Sequence, residues 1–244
     1  MKMYNGTVSL DFDPIKHVYR IDGKVVPGVT TVTGVMDKPA LVPWAVKMTV
    51  EHLSRVLKPG VSYTEPQLSA ILADAKNARF RVSGEAINIG SDAHDWIERY
   101  IKAKILEYPL PEMPQYPPVL NAVKSFIDWE SGSDIKYIAS EKRVLSLEHL
   151  YSGTADIQAV INGRNVVADL KTSTGIYEEY FVQVAAYAKA IEEEHGIHFD
   201  EIVIIRIPKT SGDIVEIASS SDIDRLYEIF LSCLNIWRWK NSGK

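Results

Sequence analysis

The dipeptide Asn162-Gly163 constrains this chain more than any other feature, because it separates two β-rich runs, 151–161 and 164–170, by two residues that tolerate positive φ. A two-residue turn fixes the register. With Asn162 and Gly163 at its centre, Ile161 faces Arg164 and Asp156 faces Asp169. Facing residues of an antiparallel pair have Cβ atoms about 4.5–5.5 Å apart, and like charges there destabilise the pair. Lys171, two residues beyond Asp169, points to the same face because strand side chains alternate. Two carboxylates and an ammonium form either an ion network on an exposed sheet or an oxygen-ligand site for a hard divalent cation. The neighbours Ile157, Val160, Val166, Val167 and Leu170 favour the second, since buried carboxylates are costly unless neutralised.

The rest of the chain reads as one domain built around this hairpin. Residues 7–34 alternate apolar and polar positions about Asp22-Gly23, which predicts an N-terminal β-hairpin region over 1–38. A helical region follows over 39–131, with helices at 40–58, 65–87 and 91–105, the last opening on the cap signal Gly90-Ser91-Asp92, and another at 117–131. The proline-rich segment 108–118 is a connector. Residues 132–244 form the core: strands at 135–146, 151–161 and 164–170, a helix at 177–194, strands at 201–207 and 213–218, and a closing helix through Ile223, Leu226, Tyr227, Phe230, Leu234 and Trp237.

Several function classes drop out. Cys233 is the single cysteine, so the chain makes no intrachain disulfide, no Cys-built zinc site and no four-thiolate iron-sulfur cluster. The opening MKMYNGTVSLDFD places aspartates where a signal peptide needs apolar residues, and no run of about 18 apolar residues occurs, which predicts a cytoplasmic protein with no membrane partner. The local motifs of P-loop nucleotide hydrolases, serine hydrolases and zincin proteases are absent.

Asp156, the triplet Asp169-Leu170-Lys171 and the downstream pair Gln183 and Tyr187 together resemble the signature of the PD-(D/E)XK nuclease superfamily, and more narrowly its RecB-like exonuclease branch. Residues 153–191 follow the pattern throughout, and 85–98 resemble the branch's upstream motif, with His94 at the position of a metal-binding histidine. The stretch 17–36 is similar to the start of small stand-alone, often phage-encoded nucleases of this type.

The resemblance implies an α/β fold with a restriction-endonuclease-like core, a central mixed β-sheet flanked by helices, carrying an N-terminal β-hairpin and a helical extension. It implies one or two Mg²⁺ or Mn²⁺ ions held by His94, Asp156, Asp169 and the carbonyl of Leu170, with Lys171 positioning or deprotonating the attacking water. Gln183 then bonds near Lys171 or a metal-bound water, Tyr187 touches the nucleic-acid backbone, and Glu141 stands where the family often has a further acid. Lys76, Arg79, Arg81, Lys142, Arg143, Arg206 and Lys209 are candidate phosphate contacts, and Thr172 and Ser173 are candidate substrate hydroxyls.

The expectation is a metal-dependent DNA exonuclease acting on ends or single strands. A structure-selective or site-specific endonuclease of the same fold and a non-catalytic nucleic-acid-binding module are the alternatives. The formal net charge of -5 argues mildly against nucleic acid. Residues 191–201, however, carry Glu192, Glu193, Glu194, Asp200 and Glu201 without a Lys or Arg, and outside them 27 acidic residues face 27 basic ones. Weak non-specific DNA affinity with marked salt sensitivity follows.

Overall fold

The computed structural model describes residues 1–209 and 213–242. Asn162 and Gly163 both adopt positive φ, 49° and 79°, and the turn joins strands β6 (Tyr151–Ile161) and β7 (Arg164–Lys171) in the register read from the sequence, with Ile161 opposite Arg164 and Ile157 opposite Ala168. Strand β5 (Ile135–Ser146) pairs antiparallel with β6 on its other side. Helix α5 (Glu178–His195) then crosses over, so that β8 (Glu201–Arg206) lies parallel to β7, and β9 (Glu216–Ser220) closes the sheet antiparallel to β8. The sheet is mixed, with order β5-β6-β7-β8-β9. The apolar side chains of β7 and β8 are buried, as a central position in a sheet covered by helices requires. Helix α5 packs Val182, Val184, Ala185, Tyr187 and Ala188 into a core shared with α6 (Ile223–Asn241), whose Phe230 and Leu234 are buried.

At the N-terminus, β1 (Lys2–Met3), β2 (Val8–Asp13), β3 (Val18–Ile21) and β4 (Lys24–Val26) form an antiparallel meander of four strands. The expected hairpin at Asp22-Gly23 joins β3 to β4, and both turn residues have positive φ. The short helix α1 (Val29–Thr33) follows. Helix α4 (Pro117–Ser131) starts on its two prolines, which lack the N–H groups that a first helical turn leaves unpaired.

The chain forms two compact units. One comprises Met1–Met36 and Asp92–Lys244; the other, Asp37–Ser91, contains α2 (Leu41–Val56) and the first part of α3 (Glu65–Leu106). The unit boundary therefore runs inside the helical region 39–131. Helix α3 (Glu65–Leu106) also corrects the expectation of separate helices at 65–87 and 91–105. Gly90 does not cap a new helix. Ile89, Ala93, Ile97 and Ile101 are all buried at four-residue spacing, and this continuous apolar stripe outweighs the roughly 1 kcal/mol that a mid-helix glycine costs. Among the described residues, no helix is long and apolar enough to cross a membrane.

The acidic run is structural rather than an open negative surface. Glu193 Oε1 accepts hydrogen bonds from Tyr4 Oη (2.7 Å) and from the N–H groups of Leu147 (2.8 Å) and Glu148 (3.1 Å). Glu194 accepts the Tyr4 N–H, Glu192 accepts the Phe199 N–H, and Asp200 accepts the Asn165 N–H. Glu201 pairs with Arg164 at 3.3 Å. Each acid satisfies loop donors or a neighbouring cation, so the run pins the N-terminal sheet and the loop after β5 to the end of α5.

Candidate active site

Strands β6 and β7 part just beyond the Ile157–Ala168 rung, where Asp156 and Asp169 stand. The side chain of Asp156 takes over from the ladder: its Oδ2 accepts the Leu170 N–H at 2.8 Å. Asp169 is 2 % exposed. Its Oδ1 accepts a hydrogen bond from Gln183 Nε2 (3.1 Å), and Lys171 Nζ approaches Oδ2 to 2.5 Å. Oδ2 is thus a buried carboxylate oxygen whose close neighbour is the Lys171 ammonium, in poor hydrogen-bond alignment. Burial pushes the Asp169 carboxyl up to about 6 despite Lys171, and burial likewise raises Asp156 against the opposing Lys171 charge and the Leu170 N–H. Desolvation alone would lower Lys171, but Asp169 and Asp156 outweigh it and hold the ammonium charged.

The amide of Gln183 has one orientation that suits its surroundings. Its Oε1 faces Lys171 Nζ (3.4 Å), which can only donate, and its Nε2 faces Asp169 Oδ1 and Tyr187 Oη (3.0 Å). Tyr187 lies one helical turn beyond Gln183 and is 3 % exposed, and its hydroxyl accepts the Gln183 Nε2–H, so it supports Gln183 from the core. The ring needs Gly153. A Cβ at that position would lie 2.5 Å from Tyr187 Cε1, closer than side-chain carbons approach.

His94 comes from α3, with Nδ1 3.7 Å from Asp156 Oδ2. Burial lowers its pKa, so at neutral pH the imidazole is uncharged and keeps a lone pair for a ligand. Glu141 completes the cluster. The register of its neighbours, Ser140 with Ile157 and Lys142 with Ala155, places it opposite Asp156, and its φ of 52° interrupts the ladder there. Burial, with Asp156 adding to it, pushes Glu141 up to about 7. Among the described residues, no three His, Cys, Asp or Glu side chains stand close enough together, as placed, to hold a metal ion.

The other expected residues divide. Thr172 is partly buried, and Ser173 donates to the Gly175 carbonyl. Arg206 is neutralised by both carboxylate oxygens of Glu216 and also donates to the Ser173 carbonyl, so it is committed within the fold. The charge of Lys209 acts on His94, and burial lowers the lysine's own pKa. Arg79 belongs to the unit Asp37–Ser91, where its guanidinium lies over Phe80 and lines a groove between α2 and α3. Leu170 is buried and gives its N–H to Asp156.

Two further neighbours shape the site: Tyr180, of which the sequence carries no direct sign, and Glu98, readable as the residue one turn from His94. The ring of Tyr180 lies 4.8 Å from Lys171 Nζ, and its only signal was the three-residue spacing to Gln183. Glu98, one turn after His94, adds negative charge at Asp156 and Glu141 while pairing with Lys102.

No protein-family model matches the chain, and no curated protein matches it. Among the solved structures similar to it is the crystal structure of SSO0001, matched over 80 % of this chain and 86 % of its own, at 14 % identity and a TM-score of 0.25.

Proposed function

We propose that this protein is a Mg²⁺- or Mn²⁺-dependent deoxyribonuclease, an exonuclease that hydrolyses phosphodiester bonds at DNA ends, on a restriction-endonuclease-like core. The observation that carries the reading is the pair of buried carboxylates, Asp169 and Asp156, with the His94 imidazole and the Lys171 ammonium in attendance. A divalent cation suits this donor set of two carboxylates and an uncharged nitrogen, and would neutralise charges that burial disfavours. The antiparallel β5-β6-β7 meander, the α5 crossover and the parallel β8 support the core assignment.

Asp156, Asp169 and His94 would hold the ion, with the Leu170 carbonyl as the resemblance implies. A bound ion supplies charge stabilisation at the phosphoryl oxygens and a more acidic water. The residues do the rest. Lys171, kept cationic by the two aspartates, donates a hydrogen bond and orients the water or a phosphoryl oxygen; Gln183 and the Tyr180 ring fix its direction. Gln183 also holds Asp169 in its rotamer, and Tyr187 holds Gln183.

Purified protein incubated with end-labelled linear and closed circular DNA, with Mg²⁺ or with EDTA, tests the proposal. Metal-dependent loss of the linear form alone supports the exonuclease, cutting of the circle supports the endonuclease, and cleavage in EDTA rejects both. Calorimetry separates the binding module: Mn²⁺ binding that Asp156→Ala leaves unchanged would favour it.

A further inference from the structure

The seven cations that the sequence marks as phosphate contacts are not equivalent in the structure. Glu216 neutralises Arg206, Arg81 pairs with Asp74 at 3.6 Å, Lys142 donates to Gln158 at 3.1 Å, and Arg79 lies over Phe80. Arg143 is held differently. Its guanidinium carbon sits 4.0 Å above the Phe12 ring and 5.9 Å from the Tyr19 ring centre, both from the N-terminal sheet. Nη1 donates to Tyr19 Oη at 3.4 Å and to Thr154 Oγ1. Among the described residues, no carboxylate lies within ion-pair distance of Arg143, whose charge acts on Glu141 only at longer range, and the hydrogen bonds its guanidinium makes all run through Nη1.

A guanidinium presents its donors in a planar fork, and the Nε–Nη2 edge offers two parallel N–H groups that match two oxygens of a phosphate. Aromatic faces fix the plane of the group without neutralising it. Tyr19 and Thr154 occupy Nη1, so the grip leaves the bidentate edge available. Arg143 pairs across the ladder with Thr154, two residues before Asp156, and follows Glu141 by two on its own strand. Two strand residues span about 7 Å, comparable to the step between successive phosphates of a nucleic-acid strand.

We propose that Arg143, gripped by Phe12 and Tyr19, is a binding subsite for a nucleic-acid phosphate next to the one that reacts at Asp156 and Asp169. This subsite rests on the nuclease reading above. It gives the N-terminal sheet a task, which is to hold one guanidinium, outside any close ion pair, beside the metal-binding carboxylates.

Fluorescence anisotropy with fluorescein-labelled single-stranded and duplex oligonucleotides, in Ca²⁺ to prevent turnover and across a salt series, tests it. Arg143→Gln is expected to raise Kd about tenfold, as loss of a charged hydrogen-bond pair does, and to reduce the slope of log Kd against log salt by about 0.7–0.9. Arg143→Lys keeps the charge and most of the stem but loses the fork, and is expected to raise Kd with the slope intact. Urea midpoints confirm that each variant is folded. Wild-type affinity and slope in Arg143→Gln, or wild-type affinity in Arg143→Lys, would overturn the subsite. A wild-type protein that binds neither oligonucleotide would overturn the nucleic-acid reading itself.

Discussion

Gly153→Ala adds one methyl group at the point where the fold has least room for it. The new Cβ would stand 2.5 Å from Tyr187 Cε1, 3.2 Å from Cδ1 and 3.3 Å from Val29 Cγ2, whereas carbon atoms in contact prefer about 3.5–4.0 Å. Relief requires the Tyr187 ring to move by about 1 Å, and a ring 3 % exposed has no free space to enter. Overpacking of this kind costs about 1–3 kcal/mol. At about 2–4 °C per kcal/mol for a chain of this size, Tm should fall by about 2–12 °C. The sign is the test, because Gly→Ala at an unhindered site stabilises by about 0.4–1 kcal/mol through the unfolded chain. The ring movement should also break the Tyr187–Gln183 hydrogen bond and loosen Asp169, lowering Mn²⁺ affinity in calorimetry. In the double variant Gly153→Ala/Tyr187→Ala the methyl occupies vacated space, so it should be no less stable than Tyr187→Ala alone. A Gly153→Ala protein as stable as wild type, or equal penalties in both backgrounds, would refute the packing argument.

Three further outcomes follow from the same geometry. Glu193→Ala removes an acceptor from three donors and should cost about 2–5 kcal/mol in urea unfolding, with Glu193→Gln costing less because its oxygen still accepts. In EDTA, the Glu141 carboxyl at about 7 lies above the ordinary value of 4.5, so the stability it lends is present below 4.5 and lost as pH rises through 7; Glu141→Gln should therefore gain on wild type between pH 5 and pH 8, and a constant difference would contradict this. Asp169→Asn, nearly isosteric, should abolish the rise in Tm that Mn²⁺ gives wild type, since binding to the native state alone is what stabilises it.

The central hairpin was legible because Asn162-Gly163 permits few geometries, and the placement of Asp156 by Asp169 and Lys171 followed from alternation. Other parts depended on contacts far apart in sequence. Nothing local to Tyr187 announces its burial, since the ring packs against Gly153 of another element, in a core that also takes in Val29. Glu141 could not be placed from the sequence because its partner strand lies beyond the connection over residues 147–150, and its positive φ is a tertiary distortion. The uninterrupted α3 shows tertiary packing overriding a cap signal, with Ile89, Ala93 and Ile97 buried on both sides of Gly90. The acidic run misled at the level of net charge for the same reason: its partners, from Tyr4 to Leu147, come from separate elements.

The most direct test of the account is the single-turnover rate of nucleotide release from end-labelled linear DNA with Mn²⁺, in wild type and Lys171→Ala, with Mn²⁺ affinity measured alongside. Lys171 is assigned to orient the reacting groups and not to hold the ion, so the variant should still bind Mn²⁺ while its rate falls by about 10²-fold or more. Undiminished release by Lys171→Ala, or no metal-dependent release by wild type, would contradict the assignment.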